Sequence, residues 1–366
     1  MIPIYQPWLT ELEREYALKA IDSGWISSRG EFIEQFEDAF AKYVGTKYAV
    51  ATNTGTAACH LAVLCSEVGD GEVLVPNLTY VATPNSVVQA GATPVFCDVN
   101  EFTWNMETDI EDMIGPKTRA IFAVHLFGNP ISHVFLDHIT KKHNLILIED
   151  ACESLGGGYY DDVKGFVKTG NWGLCAAFSL FANKTATIGE GGMLVTNDEN
   201  VYKKAVKYRG QGHISDYYHD VIGFNYRMTN IAAAIGCAQM QRIEEIQARK
   251  KYIWDKYQEY LPYELTQFVH FAHRHSHWMF GINAGNAASI RAKLALDGID
   301  SRPMFVPMTD LPPYKNHKGP STQVYKDLYR SVLILPSYPQ LTDEQIEYIC
   351  DKTKKHLDEE YNGQEQ

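Results

Sequence analysis

The sequence has no Cys-x-x-Cys pair. Its seven cysteines (Cys59, Cys65, Cys97, Cys152, Cys175, Cys237 and Cys350) are odd in number, scattered, and mostly set in apolar runs. That excludes a disulfide scaffold and offers no zinc-ligand spacing, so reduced core thiols are expected. Positive charge is in deficit: 33 Lys and Arg face 45 Asp and Glu, a net charge of -12. Such a balance argues against general nucleic-acid binding and against a membrane-surface role, but leaves room for a small local phosphate pocket. No apolar run approaches the length of a membrane span. The opening residues Met1-Ile2-Pro3-Ile4-Tyr5 lack the basic stretch and apolar segment of a signal peptide. A cytoplasmic protein is the expectation. There is no Walker loop, no Gly-x-Gly-x-x-Gly fingerprint, no internal repeat and no low-complexity segment, and Gly156-Gly157-Gly158 reads as a turn.

What is present is a chain of 366 residues, 45% hydrophobic and 21% charged, long enough for one large domain with a smaller one appended. Thr10-Glu11-Leu12-Glu13 is a capping-box pattern that predicts a first helix ending by Gly24. A loop at 25–30 follows, then a second helix with Phe32, Phe36, Ala39, Phe40 and Tyr43 on one face, stopping at Gly45. From Tyr48 onward apolar runs at 48–51, 72–75, 94–99, 120–127 and 145–148 alternate with helical segments starting near Thr56, Thr79, Thr108 and Ser132. Continuous apolar strands separated by helices predict a largely parallel sheet covered on both faces, with the ligand site beyond the carboxyl ends of its strands. Further helices are expected at about 198–207 and over the Ala-rich run 231–236. A long polar helix at about 242–260 reads as the connection to a second domain. That domain should contain a strand at 277–282, a helix near 288–296 and an amphipathic helix from Thr342, with a polar, frayed tail at 359–366. The expected division is 1–240 for the large domain and 241–366 for the small one.

One stretch organises the rest: Phe178-Ser179-Leu180-Phe181-Ala182-Asn183-Lys184-Thr185, followed by Gly189-Glu190-Gly191-Gly192-Met193. An apolar strand ends, a lysine stands where the chain leaves the sheet, and three glycines lead into a second apolar run. A lysine so placed suits a covalently bound cofactor; taken alone it would read as a solvated loop residue.

The stretch resembles the lysine loop of the DegT/DnrJ/EryC1/StrS sugar aminotransferases, which use pyridoxal phosphate (PLP), and looks most like the branch that makes GDP-perosamine. The resemblance runs from about Pro3 to about Cys350. It implies the type I PLP-dependent, aspartate-aminotransferase α/β fold: a large domain with a mostly parallel central sheet and a smaller C-terminal α/β domain.

PLP needs a lysine for its Schiff base, an acid at the ring nitrogen, a phosphate cup and something flat against the ring. Lys184 is the lysine. Asp150 closes the strand that ends in Ile148 and Glu149, where a carboxylate would keep the pyridine nitrogen protonated; the bland reading is a helix cap. The resemblance of Glu149-Asp150-Ala151-Cys152-Glu153 to the family's Glu-Asp-Ala-Ala run favours Asp150 over Glu149. Glu153 falls where relatives carry Gln, His or Glu, which implies a secondary role near the cofactor. Asn53-Thr54-Gly55-Thr56-Ala57 follows a strand and opens a helix, a setting suited to phosphate. In the family the positions matching Thr56, Ala57 and Ser179 hold the PLP phosphate. Tyr80, just past a strand, could stack on the ring or pack like any of the 22 tyrosines; the family has an aromatic there. Gly223-Phe224-Asn225-Tyr226-Arg227 resembles the segment that reaches into the neighbouring subunit's site, which makes Asn225 a phosphate candidate and implies a homodimer with shared active sites. By the same resemblance the loop at Trp25 lies near the active site. His273, His275 and His277 alternate and would share one face of a strand, but no carboxylate or cysteine accompanies them, and no metal is expected.

Two departures bear on the substrate. Thr309 stands where relatives usually carry histidine after their Arg-Pro-x-Phe-x-Pro pattern, and Asn129 replaces a histidine frequent in the perosamine branch. The resemblance implies transfer of the amino group of L-glutamate, through pyridoxamine phosphate, to the C4 keto group of a nucleotide-linked 4-keto-6-deoxy sugar. GDP-4-keto-6-deoxymannose, giving GDP-perosamine for polysaccharide or O-antigen biosynthesis, is the first acceptor. dTDP- or UDP-4-keto-6-deoxyglucose is the alternative. A PLP-dependent sugar dehydratase would carry histidine in place of Lys184. A non-catalytic binding or regulatory protein would not need Lys184, Asp150, Ser179 and Thr56 together.

Overall fold

In the computed structural model, which describes residues 1–106 and 110–364, seven strands make one sheet. From edge to edge they run Tyr48–Thr52, Gly192–Thr196, Cys175–Ser179, Ile146–Asp150, Thr118–Val124, Glu72–Pro76 and Thr93–Cys97. Each neighbouring pair is parallel except the two that involve Gly192–Thr196. The reversal belongs to the lysine loop. The chain leaves Cys175–Ser179 at Ser179, turns, and comes back with Gly192 opposite Ser179 and Met193 opposite Phe178.

Both faces of this sheet are dry, which is why its strands read as unbroken apolar runs. Phe178, Met193 and Val195 pack with Phe36 and Phe40 of the helix Glu31–Val44 and with Ala233 and Ala234 of the helix Asn230–Gln241. Their strand neighbours Ala177 and Leu194 point the other way, into a cluster with Val75, Phe122, Ile148 and Leu61 of the helix Gly55–Cys65. Each large apolar side chain so buried contributes roughly 1.5–3 kcal/mol.

Helix starts follow their caps. Thr10 and Glu13 form both halves of the capping box for Glu11–Asp22. Thr54, Ser132, Asp198 and Thr229 cap the helices Gly55–Cys65, His133–His143, Glu199–Arg209 and Asn230–Gln241. Gly45 ends Glu31–Val44 in the left-handed region, at φ 92°, which glycine adopts without a Cβ clash. The helix expected near Thr79 begins later, at Ala82–Gln89, because 77–80 make a polar turn beyond the strand. The helix start expected near Thr108 lies outside the described residues.

In the C-terminal part Phe280–Asn283, Val332–Leu335 and Arg302–Pro303 form an antiparallel sheet. It shares a core of Ile253, Phe280, Ile290, Leu333 and Ile346 with the helices Ile243–Tyr260, Ala287–Leu296 and Asp343–Gln364. Two segments cross back. His273–Arg274 pairs with Tyr159 and Gly158, and Met308 and Tyr314 enter the core around Val75 and Phe96.

Two expectations are corrected here. The three alternating histidines do not share a strand: only His273–Arg274 is extended, and His277 has φ 58°. His275 lies on the Trp254 ring with centroids 4.2 Å apart, and burial pushes it down to about 3, so it is a neutral packing group. The tail is helical through Gln364 rather than frayed from Glu359, whose neighbour Glu360 accepts hydrogen bonds from Asn286 and Ser289. Among the described residues no helix is long and apolar enough to cross a membrane.

Candidate active site

The parallel strands of the sheet end on one side, and all but the edge strand Thr93–Cys97 contribute a wall at their ends to a cavity of about 430 Å³. Thr54, Gly55 and Thr56 follow one strand, Thr79 and Tyr80 the next, then Val124, then Asp150, Cys152 and Glu153, and finally Ser179, Phe181, Asn183 and Lys184. Glu190 and, from the C-terminal part, Trp278 and Phe305 close it. Six predicted residues (Thr56, Tyr80, Asp150, Glu153, Ser179 and Lys184) therefore share one cavity.

Lys184 is held from three sides. Its carbonyl accepts the Tyr5 hydroxyl at 2.8 Å, and the neighbouring Asn183 carbonyl accepts the Trp278 indole N–H at 2.7 Å. Its Nζ lies 3.7 Å from the centre of the Trp278 ring and 3.7 Å from Glu153 Oε1. Ammonium over an indole face is an attractive contact that costs the amine none of its lone-pair chemistry once deprotonated.

The two adjacent acids at the strand end part company. Glu149 faces away from the cavity. It pairs with His125 at 3.0 Å and accepts backbone N–H groups from Gly170, Trp172 and Gly173. Burial pushes its carboxyl up, but the His125 bond and these N–H groups outweigh that and leave it below the usual range. Asp150, one residue on, faces the opposite side because side chains alternate along a strand. Its Oδ2 accepts the Thr83 hydroxyl at 2.6 Å and its Oδ1 the Cys152 N–H at 3.0 Å, which orients the carboxylate in the cavity wall.

Glu153 is buried, and burial pushes its carboxyl up to about 7 against the pull of the Lys184 charge and the Phe127 N–H. That N–H donates to Oε2 at 2.7 Å from a residue with φ 55°, a conformation a side chain adopts only when its surroundings impose it. Phe127 in turn stacks with the near-parallel rings of Phe305 and Trp278, at 5.5 and 6.1 Å.

At the far end the helix Gly55–Cys65 points its N-terminus into the cavity. Thr54 caps it through the Ala57 N–H at 3.0 Å, so Ala57 is buried behind the wall and is not among the lining residues. A Cβ on Gly55 would lie 2.7 Å from Ser179 Cβ, so glycine alone lets the serine hydroxyl and the helix end converge. This hollow of a hydroxyl and first-turn N–H groups fits a phosphate. Asn183 Oδ1, in the same cavity, is buried without a protein partner.

Tyr80 is 58% exposed and leans on Phe305, with ring centroids 5.9 Å apart. Four residues fall elsewhere. Asn225 is exposed and outside the cavity, its Oδ1 bonded to the Arg227 guanidinium at 3.1 Å. Trp25 lines a separate concavity with Arg29 and Asn230. Asn129 is buried and donates to the carbonyls of Thr103 and Phe268, while Thr309 exchanges two hydrogen bonds with the Asn77 amide; neither lines the cavity. The contacts made by Trp278, Thr83, Phe127 and Tyr5 had no signal in the sequence, because each joins segments far apart in the chain.

Residues 7–354 match the DegT/DnrJ/EryC1/StrS aminotransferase family. The chain is 42% identical over 360 residues to a GDP-perosamine synthase of Escherichia coli O157:H7, covering 96% of this chain and 97% of that one. It is 40% identical over 362 residues to the GDP-perosamine synthase of Caulobacter vibrioides, covering 95% and 96%. Among solved structures the aminotransferase TlmJ from Streptoalloteichus hindustanus is similar at a TM-score of 0.91 and 25% identity, covering 98% of this chain and 99% of that one. Spr1654 from Streptococcus pneumoniae in its PLP form is similar at 0.89 and 26%, again covering 98% and 99%. With a match that spans nearly its whole length, the chain belongs to the DegT/DnrJ/EryC1/StrS aminotransferase family.

Proposed function

We propose that the chain is a PLP-dependent aminotransferase that moves the amino group of L-glutamate to C4 of GDP-4-keto-6-deoxymannose, forming GDP-perosamine. The observation that carries the reaction type is the convergence of Lys184, Asp150 and the Gly55–Ser179 hollow in one cavity. The acceptor rests on the relatives named GDP-perosamine synthase at 42% and 40% identity.

PLP, when bound, supplies a carbonyl that takes up an amino group and a ring that spreads the charge left when a Cα proton departs. The protein does the rest. Thr56, Ser179 and the helix N-terminus, with its partial positive charge, would bind and orient the phosphate. Asp150, steered by Thr83, would hold a proton on the ring nitrogen. Lys184, once its amine is free, would carry the proton between donor Cα and cofactor, and Trp278 and Glu153 keep that amine within the cavity. Glu153 faces the Lys184 amine at 3.7 Å, and its carboxyl at about 7 suits it to hold or release a proton near neutral pH. Tyr80 would lie against the ring face and keep water from it.

A large domain of 1–240 and a small one of 241–366 is supported by the joint at Arg242 between the helices Asn230–Gln241 and Ile243–Tyr260. A homodimer in which Asn225 serves the neighbour's phosphate is supported by exposed apolar side chains beside it, Tyr217 at 94% and Ile222 at 90%.

PLP-loaded protein and L-glutamate are incubated separately with GDP-, dTDP- and UDP-linked 4-keto-6-deoxy sugars, and product masses are read. The expected outcome is amination of the GDP sugar alone, abolished in Lys184→Ala. Amination of another sugar discards the acceptor and keeps the reaction. No 2-oxoglutarate from L-glutamate discards the reaction itself.

A further inference from the structure

We propose that Cys59, Asp150 and Cys152 form a binding site for a soft divalent metal ion of the zinc type, available when the cofactor is absent. Cys59 stands in the second turn of the helix Gly55–Cys65, and Cys152 two residues past the strand Ile146–Asp150. Their sulfurs are 3.9 Å apart, and one ligand atom from each of the three residues lies within 4.8 Å of the others.

That spacing discriminates between possible uses of the pair. Two sulfurs on one tetrahedral zinc, each at about 2.3 Å, sit about 3.8 Å from each other. Two sulfurs in a disulfide sit about 2.05 Å apart, so a bridge would need the backbone to close in. The sulfur pair needs almost no movement to take an ion, and the Asp150 oxygen, within 4.8 Å of both sulfurs, closes in as the third ligand. Two thiolates and a carboxylate are a soft-metal donor set, and three protein ligands leave a fourth position open. Here the open position faces the cavity, since Asp150 and Cys152 both line it. The carboxylate is already oriented by the Thr83 hydroxyl and the Cys152 N–H, the kind of outer support that ligands require. On binding, each thiol releases its proton to solvent as its metal–sulfur bond forms. The ion's two positive charges then meet three negative ones.

The plain alternative is that both are small apolar core residues, as Cys65, Cys97, Cys175, Cys237 and Cys350 are. Cys152 packs against the core around Ile148 and Ala177 but is not enclosed by it. It is only partly buried, it lines a cavity, and it occupies the second alanine of the Glu-Asp-Ala-Ala run that this segment otherwise resembles. A metal at this place occupies Asp150, so metal and PLP exclude each other; this clause alone rests on the ring-nitrogen role proposed for Asp150.

The test titrates cofactor-stripped, fully reduced protein with cadmium chloride and follows the ultraviolet thiolate-to-cadmium charge-transfer band. Cys59→Ser and Cys152→Ala are run alongside, with thermal unfolding to establish that each is folded. One equivalent per chain is expected, weakened about 100-fold or more in either variant. Absence of the band, or a band that neither substitution weakens, overturns the site. PLP uptake is read separately by its own absorbance. A full cadmium band in PLP-loaded protein overturns the exclusion, and failure of PLP to bind beside a normal cadmium titration sinks the PLP reading while the metal site stands.

Discussion

Lys184 Nζ stands 3.7 Å from Glu153 Oε1, and the glutamate that faces this cation is itself buried and half inclined to keep its proton. The pair sets a pH dependence whose sign is fixed. Glu153 binds its proton more tightly folded than unfolded, with a carboxyl moved from 4.5 to about 7. The stability that Glu153 contributes therefore falls as pH rises between those values and is level outside them. Glu153→Gln removes the ionisation and keeps an acceptor for the Phe127 N–H. In cofactor-free protein the stability of the variant relative to the parent should rise between pH 4.5 and 7, by up to about 3 kcal/mol. Denaturant melts across that range check it, and parallel profiles would count against the buried acid.

Asp150→Asn keeps size and shape but removes the charge proposed for the ring nitrogen. Formation of 2-oxoglutarate should slow roughly 10²–10³-fold, the scale for loss of one preorganised electrostatic partner. Thr83→Val should slow it by less, about tenfold, since Thr83 acts by orienting Asp150 through its 2.6 Å hydrogen bond. In the double variant the Thr83 effect should largely vanish. If the two effects multiply in full, Thr83 does not work through Asp150.

Gly55→Ala places a methyl 2.7 Å from Ser179 Cβ. The helix end and the serine must separate, so PLP affinity should fall about tenfold, or about 1.4 kcal/mol. The fold should survive, because overpacking of this kind costs about 1–3 kcal/mol. Equilibrium dialysis against PLP reads the affinity; an unchanged value would remove the phosphate from this end of the cavity.

Lys250 is buried beneath the Tyr5 ring with its ammonium donating to the Ser337 carbonyl at 3.0 Å. Burial pushes it down from 10.5 to about 7. The folded chain thus holds this proton more weakly than the unfolded chain does, and stability contributed here rises as pH climbs from about 7 towards 10.5. Lys250→Met does not titrate. Its advantage over the parent should be largest at or below pH 7 and shrink by about 4 kcal/mol by pH 10. The orphaned Ser337 carbonyl costs about 1–3 kcal/mol at every pH, which shifts the curve without changing its slope.

Much of the architecture was legible in advance because it follows from local rules. Capping residues such as Thr10 and Asp198 mark helix starts wherever the chain goes, and apolar runs such as 145–148 announce a strand covered on both faces. Lys184, Asp150 and the Gly55 turn could be singled out because each lies at or past a strand end and matches the motif order of the family the sequence resembles. The direction of Gly192–Thr196 is a matter of tertiary pairing, and nothing in Met193-Leu194-Val195 states it.

By itself the sequence determined the alternation of strands and helices, the place of the lysine loop between two strands, and the family to which both belong. The family resemblance favoured Asp150 over Glu149, but only tertiary structure turns Glu149 to His125 and Asp150 to the cavity, since one residue's step along a strand reverses the side chain. Tertiary structure also decided that Trp278 and Phe127 meet Lys184 and Glu153, contacts that join residues 94 and 26 positions apart. The 3.9 Å between Cys59 and Cys152, 93 positions apart, is of the same kind. Local propensity acts over one or two turns of chain; a site made at strand ends exists only once the sheet has brought those ends side by side.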